Sequence, residues 1–323
     1  MVTQDLVIEV VGLTKYYRGV RGVEDVSFGV ARGETFGFLG PNGAGKTTCI
    51  RLLLDLLRAD RGEILLFGNE ISCDRWRFKS RVGNLPGEVA WWPTLAGREI
   101  LDAFAGLNPR PARLQPELLD RLGLPPELLR RKVRTYSRGT RQKLGIVVAM
   151  QHDPDLVILD EPTSGLDPLV RHAFFEICHT LKQRGKTIFF SSHNLSETQE
   201  ISDRVAIIRS GRLAVVDSIA GLRAKSVRRV EVSFGARPAH DWLRLPGARV
   251  LETNGNKVVL TCSGSPAPLL RELLRHPVSD IVVTPPTLED LFLCYYREPG
   301  EEPPGSRAAN ESGASAPRDG SRS

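Results

Sequence analysis

The chain has 323 residues, with 41% hydrophobic residues, 25% charged residues and a formal net charge of +6. This length suits one large domain with an appendage or two modest ones, and the composition suits a protein with a buried core. No stretch approaches the roughly 18 consecutive apolar residues of a membrane-spanning helix, and the first residues lack the pattern of a secretory signal. The five cysteines are scattered, which argues against zinc or a disulfide framework and fits a reducing compartment.

Short apolar runs alternate with helical patterns over the first two thirds of the chain. The helix-like, proline-punctuated segment at about 94–152 carries an apolar stripe of Leu118, Leu119 and Leu122. Buried apolar strands that alternate with helices indicate an α/β sheet covered on both faces. Strands are predicted at 6–11, 24–30, 35–39, 63–67, 156–159, 187–190 and 205–208, and a helix at 46–57.

After Gly211 the pattern changes to short strands. We predict strands at 229–234, 248–252, 257–262 and 281–284, around one helix at 267–275, and therefore a small α+β module. From Glu298 onward the chain is rich in Pro, Gly, Ser and charge, so it cannot bury enough apolar surface to become ordered. The predicted division is one large domain at 1–217, an accessory module at 218–297 and a disordered tail at 298–323.

A glycine-rich loop lies between the strand predicted at 35–39 and the helix at 46–57, and it fits the pattern G-x-x-x-x-G-K-[ST]. Glycines allow backbone N–H groups to converge on phosphate oxygens, and the helix N-terminus adds a favourable partial charge. The lysine would contact the β- and γ-phosphates, and the threonine hydroxyl would ligate Mg²⁺. The residues of this phosphate loop are Gly40, Pro41, Asn42, Gly43, Ala44, Gly45, Lys46 and Thr47, with Thr48 following.

Two consecutive carboxylates follow the apolar strand at 156–159. Asp160 would hold Mg²⁺ through water, and Glu161 would orient and deprotonate an attacking water. A second carboxylate directly after the first favours hydrolysis over transfer to a bound hydroxyl. The two halves together predict a nucleotide-hydrolysing site.

The order of these motifs resembles the nucleotide-binding subunits of ATP-binding cassette (ABC) transporters, over about residues 5–215. Residues 160–168 (DEPTSGLDP) resemble the Walker B strand and D-loop of that family, and the phosphate loop is its Walker A motif. The resemblance implies a P-loop NTPase core of cassette type. It also implies an antiparallel β subdomain, with the segment at about 94–152 as an inserted helical subdomain.

The resemblance implies roles for residues outside the two carboxylates and the phosphate loop. His193, in the switch segment SSHN, would contact the γ-phosphate and steady Glu161. Tyr17, favoured over Tyr16 by its spacing after LTK, would stack on adenine. Asp167, in the D-loop, would lie near the interface of two cassettes.

Residues 136–143 (YSRGTRQK) resemble the family's signature motif, whose common form is LSGGQ. Ser137 and Gly139 are retained, whereas Arg138 and Thr140 depart from it. In the family this segment meets the ATP of a second subunit. The resemblance therefore implies a pair of cassettes, either a homodimer or a heterodimer, with Ser137 and Gly139 on the partner's nucleotide.

The clearest departure from the family lies at residues 85–88 (LPGE). Gly87 occupies the position of a glutamine that normally touches Mg²⁺, and Glu88, one residue displaced, is a candidate metal ligand in its place. Just downstream, Trp91 and Trp92 are adjacent. Either an exposed tryptophan anchors a partner protein, or both cap the helical subdomain.

The forms LPGE, YSRG and PTLEDLF (286–292) resemble cassettes that energise ABC-2-type exporters of drugs, antibiotics or lipids. The resemblance implies ATP and Mg²⁺ as cofactors and an integral-membrane permease as partner, at the cytoplasmic face of a bacterial cell membrane.

An alternative is a cassette ATPase that acts on ribosomes or DNA. A single cassette without a heptad run and with dispersed arginines argues against it, so no nucleic-acid partner is expected. A small-molecule kinase or GTPase is disfavoured by the ordered cassette motifs, and a non-enzymatic module by the intact site.

Overall fold

Three β-sheets organise the computed structural model, which describes residues 5–71, 78–225, 227–235, 248–263 and 265–284. Within these ranges the structure has fourteen strands: β1 (Leu6–Tyr17), β2 (Val20–Ala31), β3 (Thr35–Leu39), β4 (Arg61–Leu66), β5 (Asn69–Glu70), β6 (Val82–Leu85), β7 (Leu156–Asp160), β8 (Thr187–Ser192), β9 (Arg204–Arg209), β10 (Arg212–Ser218), β11 (Val227–Phe234), β12 (Ala248–Asn254), β13 (Lys257–Ser263) and β14 (Val278–Thr284). Each strand predicted from the apolar runs lies within or largely overlaps one of these.

Nine α-helices of the described ranges surround these sheets. They are α1 (Lys46–Leu53), α2 (Gly97–Leu107), α3 (Gln115–Arg121), α4 (Pro126–Leu129), α5 (Arg138–Met150), α6 (Pro168–Gln183), α7 (Leu195–Ile201), α8 (Ile219–Lys225) and α9 (Ala267–Leu273). None of them combines the length and apolarity that a bilayer crossing requires.

The central sheet has the strand order β10-β9-β3-β8-β7-β6. All its neighbouring pairs are parallel except β9 and β10. Leu39 pairs with Ser192 and Asp160 pairs with Ser191, so β3, β7 and β8 end together. Since ligands of open α/β sheets bind beyond the carboxyl ends of the strands, this register brings the phosphate loop, Asp160 and the switch segment to one edge.

An antiparallel sheet of order β2-β1-β4-β5 packs on the central sheet through aromatic side chains. The ring of Phe28 on β2 stacks 5.5 Å from that of Phe36 on β3, and Phe36 stacks 6.0 Å from Phe189 on β8. Phe36 and Phe189 are fully buried. Stacked aromatics bury large apolar areas, so this cluster joins the two sheets behind the phosphate loop.

The predicted helical insertion is built from α2 to α5 and a 3₁₀ turn at Val133–Thr135. The predicted stripe faces its core, with Leu118 and Leu122 buried and Leu119 packed against them. One prediction was too long: α1 ends at Leu53 rather than at residue 57, because Asp55 takes a left-handed φ of 54°. The predicted α/β core with an antiparallel subdomain and a helical insertion is confirmed.

The third sheet is antiparallel, with the order β12-β13-β11-β14, and carries α9 on one face. Its core includes Val230, Val232, Leu260, Leu269 and Leu273. The predicted helix at 267–275 is two residues shorter in the structure. The tail at 298–323 and the PTLEDLF segment lie outside the described residues.

Candidate functional site

The phosphate loop turns sharply between β3 and α1. Gly45 takes a φ of 108°, and a Cβ there would lie 2.5 Å from the Gly22 carbonyl oxygen, so only glycine fits. Asn42 and Gly43 form the exposed tip, and Ala44 is buried beneath it. The loop backbone is therefore presented to solvent with the first turn of α1 behind it, as anion binding requires.

Lys46 projects its ammonium group into the mouth of this loop. Its side chain is only 6% exposed, and Nζ donates to the carbonyl oxygens of Gly40 and Pro41 at 2.6 and 3.2 Å. Nζ also lies 3.1 Å from Glu161 Oε1. A buried ammonium is costly unless it is paired, and these three oxygens provide the pairing.

Asp160 is buried and fully engaged at the end of β7. Thr47 Oγ1 donates to its Oδ2 at 2.8 Å, and Ser191 Oγ donates to its Oδ1 at 2.5 Å. Beside them, the buried Asn84 Oδ1 has no hydrogen-bond partner among the described residues. Hydroxyl, carboxylate and amide oxygens are the hard ligands that Mg²⁺ prefers, so the residues present fit that ion.

The Glu161 carboxylate lies between two nitrogen atoms. Its Oε2 is 2.7 Å from His193 Nδ1, where the imidazole tautomer decides which atom donates, and its Oε1 faces Lys46. Its backbone N–H donates to Ser191 Oγ at 3.0 Å, and its φ of 49° is left-handed, which is uncommon for a residue other than glycine. Strained backbone of this kind is concentrated at functional sites. The structure thus brings Lys46, Glu161 and His193 into direct contact.

Tyr17, rather than Tyr16, contacts the first turn of α1. The Tyr17 hydroxyl lies 3.5 Å from Thr48 Oγ1, and a Cβ on Gly22 would lie 2.8 Å from its ring. The hydroxyl of Tyr16 is instead directed to Glu24, whose hydrogen bond raises the tyrosine pKa. An exposed ring face beside the phosphate loop is therefore available at Tyr17.

The signature segment lies away from the phosphate loop. Ser137 caps α5 by accepting the Thr140 N–H at 3.1 Å, and Asp167 caps α6 by accepting the Val170 N–H at 3.0 Å. No hydrogen bond or ion pair of the described residues joins Ser137 or Gly139 to the phosphate loop. Within the described part of one chain, the two predicted halves of the nucleotide site are therefore not bonded to each other.

Comparison with known proteins gives the family. The model of the family described as ABC transporter matches residues 23–164. An uncharacterized ABC transporter ATP-binding protein of Nostoc sp. is 46% identical over 62% of this chain and 61% of its own length. The ABC transporter ATP-binding protein YhcH of Bacillus subtilis is 32% identical over 92% of this chain and 98% of its own length. The chain belongs to the ABC transporter ATP-binding proteins.

Further comparisons agree with this assignment. The bacitracin transport ATP-binding protein BcrA of Bacillus licheniformis is 39% identical to this chain, over 64% of this chain and 68% of its own length. A solved ATP-binding subunit of an ABC transporter matches with a TM-score of 0.63 and 31% identity, over 67% of this chain and 92% of that one. A dimeric, post-hydrolysis ATP-binding cassette bound to ADP and Pi shares the fold at a TM-score of 0.60 and 20% identity, over 66% and 98% of the two chains. The predicted family, cassette fold and ATPase class are confirmed.

In this cassette Gly87 packs directly on Asp160. A Cβ at residue 87 would lie 3.0 Å from Asp160 Oδ2, a tight contact that would require the loop after β6 or the carboxylate to shift by a few tenths of an ångström. Glu88 is exposed and lines a cleft of about 470 Å³ together with Thr47 and Asp160. It also lines a second cleft with Arg138. Glu88 therefore faces both the candidate metal site and the signature helix.

The two tryptophans of the cassette have different environments. Trp91 packs edge-on against Phe104 and donates its Nε1–H to the Arg141 carbonyl oxygen at 3.2 Å. Trp92 is 57% exposed. Trp91 thus caps the helical subdomain, whereas Trp92 is open to solvent. The alternative in which both tryptophans cap that subdomain therefore does not hold for Trp92.

Two further residues contribute to the cassette's site without being predicted from the motifs, Ser191 and Gln142. Ser191 holds both Asp160 Oδ1 and the Glu161 backbone N–H. Gln142 is buried and donates from Nε2 to the carbonyl oxygens of Pro162 and Glu161 at 3.0 and 3.3 Å. The available signals were a serine at the end of an apolar strand and an amide on the apolar face of a helix.

Proposed function

We propose that this cassette binds and hydrolyses ATP with Mg²⁺ to power a separate transmembrane permease. The observation that carries the proposal is the position of the Glu161 carboxylate between Lys46 and His193. Glu161 directly follows Asp160, which accepts a hydrogen bond from Thr47. The similarity to the bacitracin transport protein BcrA supports transport of a drug or antibiotic. The ABC-2 type, export as the direction and a lipid as the other substrate class are proposed from the motif forms LPGE, YSRG and PTLEDLF.

Each residue of the site has a role in this chemistry. The backbone of residues 40–48 would hold the phosphates, Lys46 would pair with the β- and γ-phosphates, and the Tyr17 ring would stack on adenine. Mg²⁺, when bound, would neutralise phosphate charge, and Thr47, Asp160 and Glu88 would hold it. These contacts would bring the γ-phosphate beside Glu161.

Glu161 would act as the general base for hydrolysis. Its carboxylate would accept a proton from the attacking water, and His193, through Nδ1, would fix its orientation and contact the γ-phosphate. A γ-phosphate bound at Lys46 would compete with Glu161 for the ammonium group. ATP binding would therefore release one oxygen of the base for the water.

We further propose that two copies of this chain pair head to tail around two ATP molecules. The phosphate loop and the signature residues Ser137 and Gly139 are both intact but separate within one chain, so two copies would complete two sites. Asp167 would lie at the interface. The similarity in fold to a dimeric cassette bound to ADP and Pi supports this arrangement.

The remaining organisation is proposed from the family resemblance. The cassette would occupy residues 1–217, with 218–297 as an accessory module, and the remaining residues 298–323 lie outside the described part of the chain. A permease partner would place the protein at the cytoplasmic face of the cell membrane.

Replacing Glu161 tests the assignment of the base. Glu161→Gln should bind ATP but lose at least about a hundredfold in hydrolysis rate, since positioned proton transfer contributes on the order of 10² to 10⁴. Glu200→Gln, an exposed change on α7, is the matched control and should hydrolyse at the parental rate. Hydrolysis by Glu161→Gln at the parental rate would refute the assignment.

Purification from native membranes tests the transport role. The chain should co-purify with an integral-membrane permease and without a solute-binding protein, because the proposal is export. A solute-binding protein in the complex would contradict export. Salt-sensitive co-sedimentation with ribosomes or DNA, without a permease, would support the alternative class instead.

A further inference from the structure

The signature helix α5 holds the backbone that carries the proposed base. Gln142, which is 5% exposed, donates from one amide nitrogen to the carbonyl oxygens of Glu161 and Pro162. A buried hydrogen bond is costly to leave unmade. A shift of α5 should therefore carry residues 161 and 162 with it.

The N-terminal end of α5 holds the same loop at a second place. Arg138 Nη2 donates to Ser164 Oγ at 2.7 Å, and its side-chain carbons lie against Gly165. A Cβ at Gly139 would lie 2.8 Å from the Gly165 carbonyl oxygen, so the two backbones are in close contact. Glycine, the residue of the common signature form at position 138, has no side chain to make this bond.

We propose that Arg138 and Gln142 are positioning residues that transmit the state of one nucleotide site to Glu161 of the other. This inference rests on the proposed pair of cassettes. Ser137, next to Arg138, would bind the partner's ATP, while residues 161–165 lead directly from the chain's own Glu161. Closing the signature on one nucleotide therefore moves the base at the other nucleotide.

The geometry at Glu161 makes it sensitive to such a movement. Its left-handed φ is maintained by surrounding contacts, and two of these are the Gln142 bond to its carbonyl oxygen and the Ser191 bond to its N–H. A small displacement of the carbonyl reorients the carboxylate relative to Lys46 and His193. In this inference occupancy of one site orients the base for catalysis at the other and so raises its activity, which is positive cooperativity.

Steady-state hydrolysis as a function of ATP concentration tests the inference. The parental chain should show a Hill coefficient above one. Arg138→Ala and Ser164→Ala should each move it towards one, with about a fivefold loss of coupling between sites, the lower end of the usual range. The variant that combines Arg138→Ala with Ser164→Ala should have the same Hill coefficient as each single variant, because all three remove the same hydrogen bond. Arg134→Ala, an exposed arginine just before the signature, should leave it unchanged.

Gln142→Met gives a second readout of the buried contact. It should reduce the Hill coefficient without weakening ATP binding, whereas a purely structural defect would lower the rate at an unchanged coefficient. A parental Hill coefficient of one, unchanged coefficients in Arg138→Ala and Gln142→Met, or additive effects of Arg138→Ala and Ser164→Ala would each overturn the inference. Absence of ATP-dependent pairing would overturn the proposed pair and this inference with it. Unchanged Hill coefficients in a protein that does pair would overturn this inference alone, so the two failures are distinguishable.

Discussion

At the scale of single residues, contacts with several neighbours fix the position of Asp160. Hydroxyls of Thr47 and Ser191 donate to its two carboxylate oxygens, and a Cβ at Gly87 would press on Oδ2 at 3.0 Å. A buried carboxylate that accepts two hydrogen bonds cannot move aside without losing them. The absence of glutamine at position 87 is thus matched by the local packing.

Restoring the family's common glutamine should therefore impair this cassette. Gly87→Gln would force the loop away from Asp160, so the Mg²⁺-dependent ATPase rate should fall rather than rise. Gly106→Gln is the control, because a side chain at that position on α2 enters open space. A rate equal to or above the parental one in Gly87→Gln would contradict this account.

Glu88 is the residue we expect to take over the metal contact. Glu88→Gln should raise the Mg²⁺ concentration for half-maximal hydrolysis by about tenfold, the lower end of the effect of losing a supporting metal contact. Metal-free nucleotide binding, followed by fluorescence of a labelled ATP, should be unaffected. Glu127→Gln, on the exposed side of α4, is the control. An unchanged Mg²⁺ requirement in Glu88→Gln would remove Glu88 from the metal set.

Sequence alone locates the residues whose type is dictated by chemistry. Phosphate and magnesium contacts require Lys46, Thr47 and Asp160 at fixed spacings, and the structure brings these residues together. Ser191 and Gln142 are different, because their partners are atoms of other elements. Only the packing of β7, β8 and α5 determines what a serine or an amide can reach.

At the scale of elements, β6 and α5 approach so closely that residue 83 must be glycine. A Cβ at Gly83 would lie 1.9 Å from the Ala149 carbonyl oxygen, which is rigid helix backbone. Gly83→Ala should lower the free energy of unfolding by about 1–3 kcal/mol, the usual effect of overpacking. Urea denaturation measures it, with Gly106→Ala as control. An unchanged midpoint for Gly83→Ala would show that the two elements separate easily.

Asp155, just before β7, links that strand to its neighbours. Burial raises its pKa, but hydrogen bonds from Arg110 and Arg81 outweigh burial and lower the pKa to about 2. An unfolded aspartate has a pKa of about 3.9, so the folded state binds fewer protons between these values. The carboxylate therefore stabilises the fold fully above about pH 4, and this contribution is lost as the pH falls towards 2.

Asp155→Asn should lower the unfolding free energy at about pH 7 and flatten its dependence on pH in the acid range. Urea denaturation at about pH 7 and about pH 3 measures both effects. Asp120→Asn, an exposed change on α3, should leave the parental acid dependence intact. An acid dependence in Asp155→Asn as steep as in the parental chain would contradict the assignment.

The bounds of helices and strands are less predictable than their presence, because the spacing of apolar residues indicates which side chains are buried. The helix predicted at 46–57 relied on Leu54 and Leu57, and both side chains do pack against the core. They do so from a turn, because Asp55 leaves the helical conformation. Apolar spacing thus indicated burial correctly but not the backbone that achieves it. Strands β1 and β2 extend beyond their predicted bounds, through register shifts that interrupt regular alternation.

At the scale of the whole molecule, one chain carries both halves of the proposed nucleotide site, and no hydrogen bond or ion pair of the described residues joins them. The phosphate loop, Asp160 and Glu161 lie at the end of the central sheet, and Ser137 lies at the start of α5. Motif order predicts both halves, and the sequence retains the residues of the phosphate loop together with Ser137 and Gly139 of the signature. Their separation within one chain is the physical reason for proposing a pair.

The most direct test of this central claim is the mass of the Glu161→Gln protein by light scattering with saturating ATP and Mg²⁺. We predict a dimer that holds about one ATP per chain and returns to monomer without ATP. The same protein with Ser137→Glu added should still bind ATP but remain a monomer, because a carboxylate at the signature repels the partner's phosphates. A monomer with bound ATP in Glu161→Gln, or a dimer that persists with Ser137→Glu, would contradict the shared site.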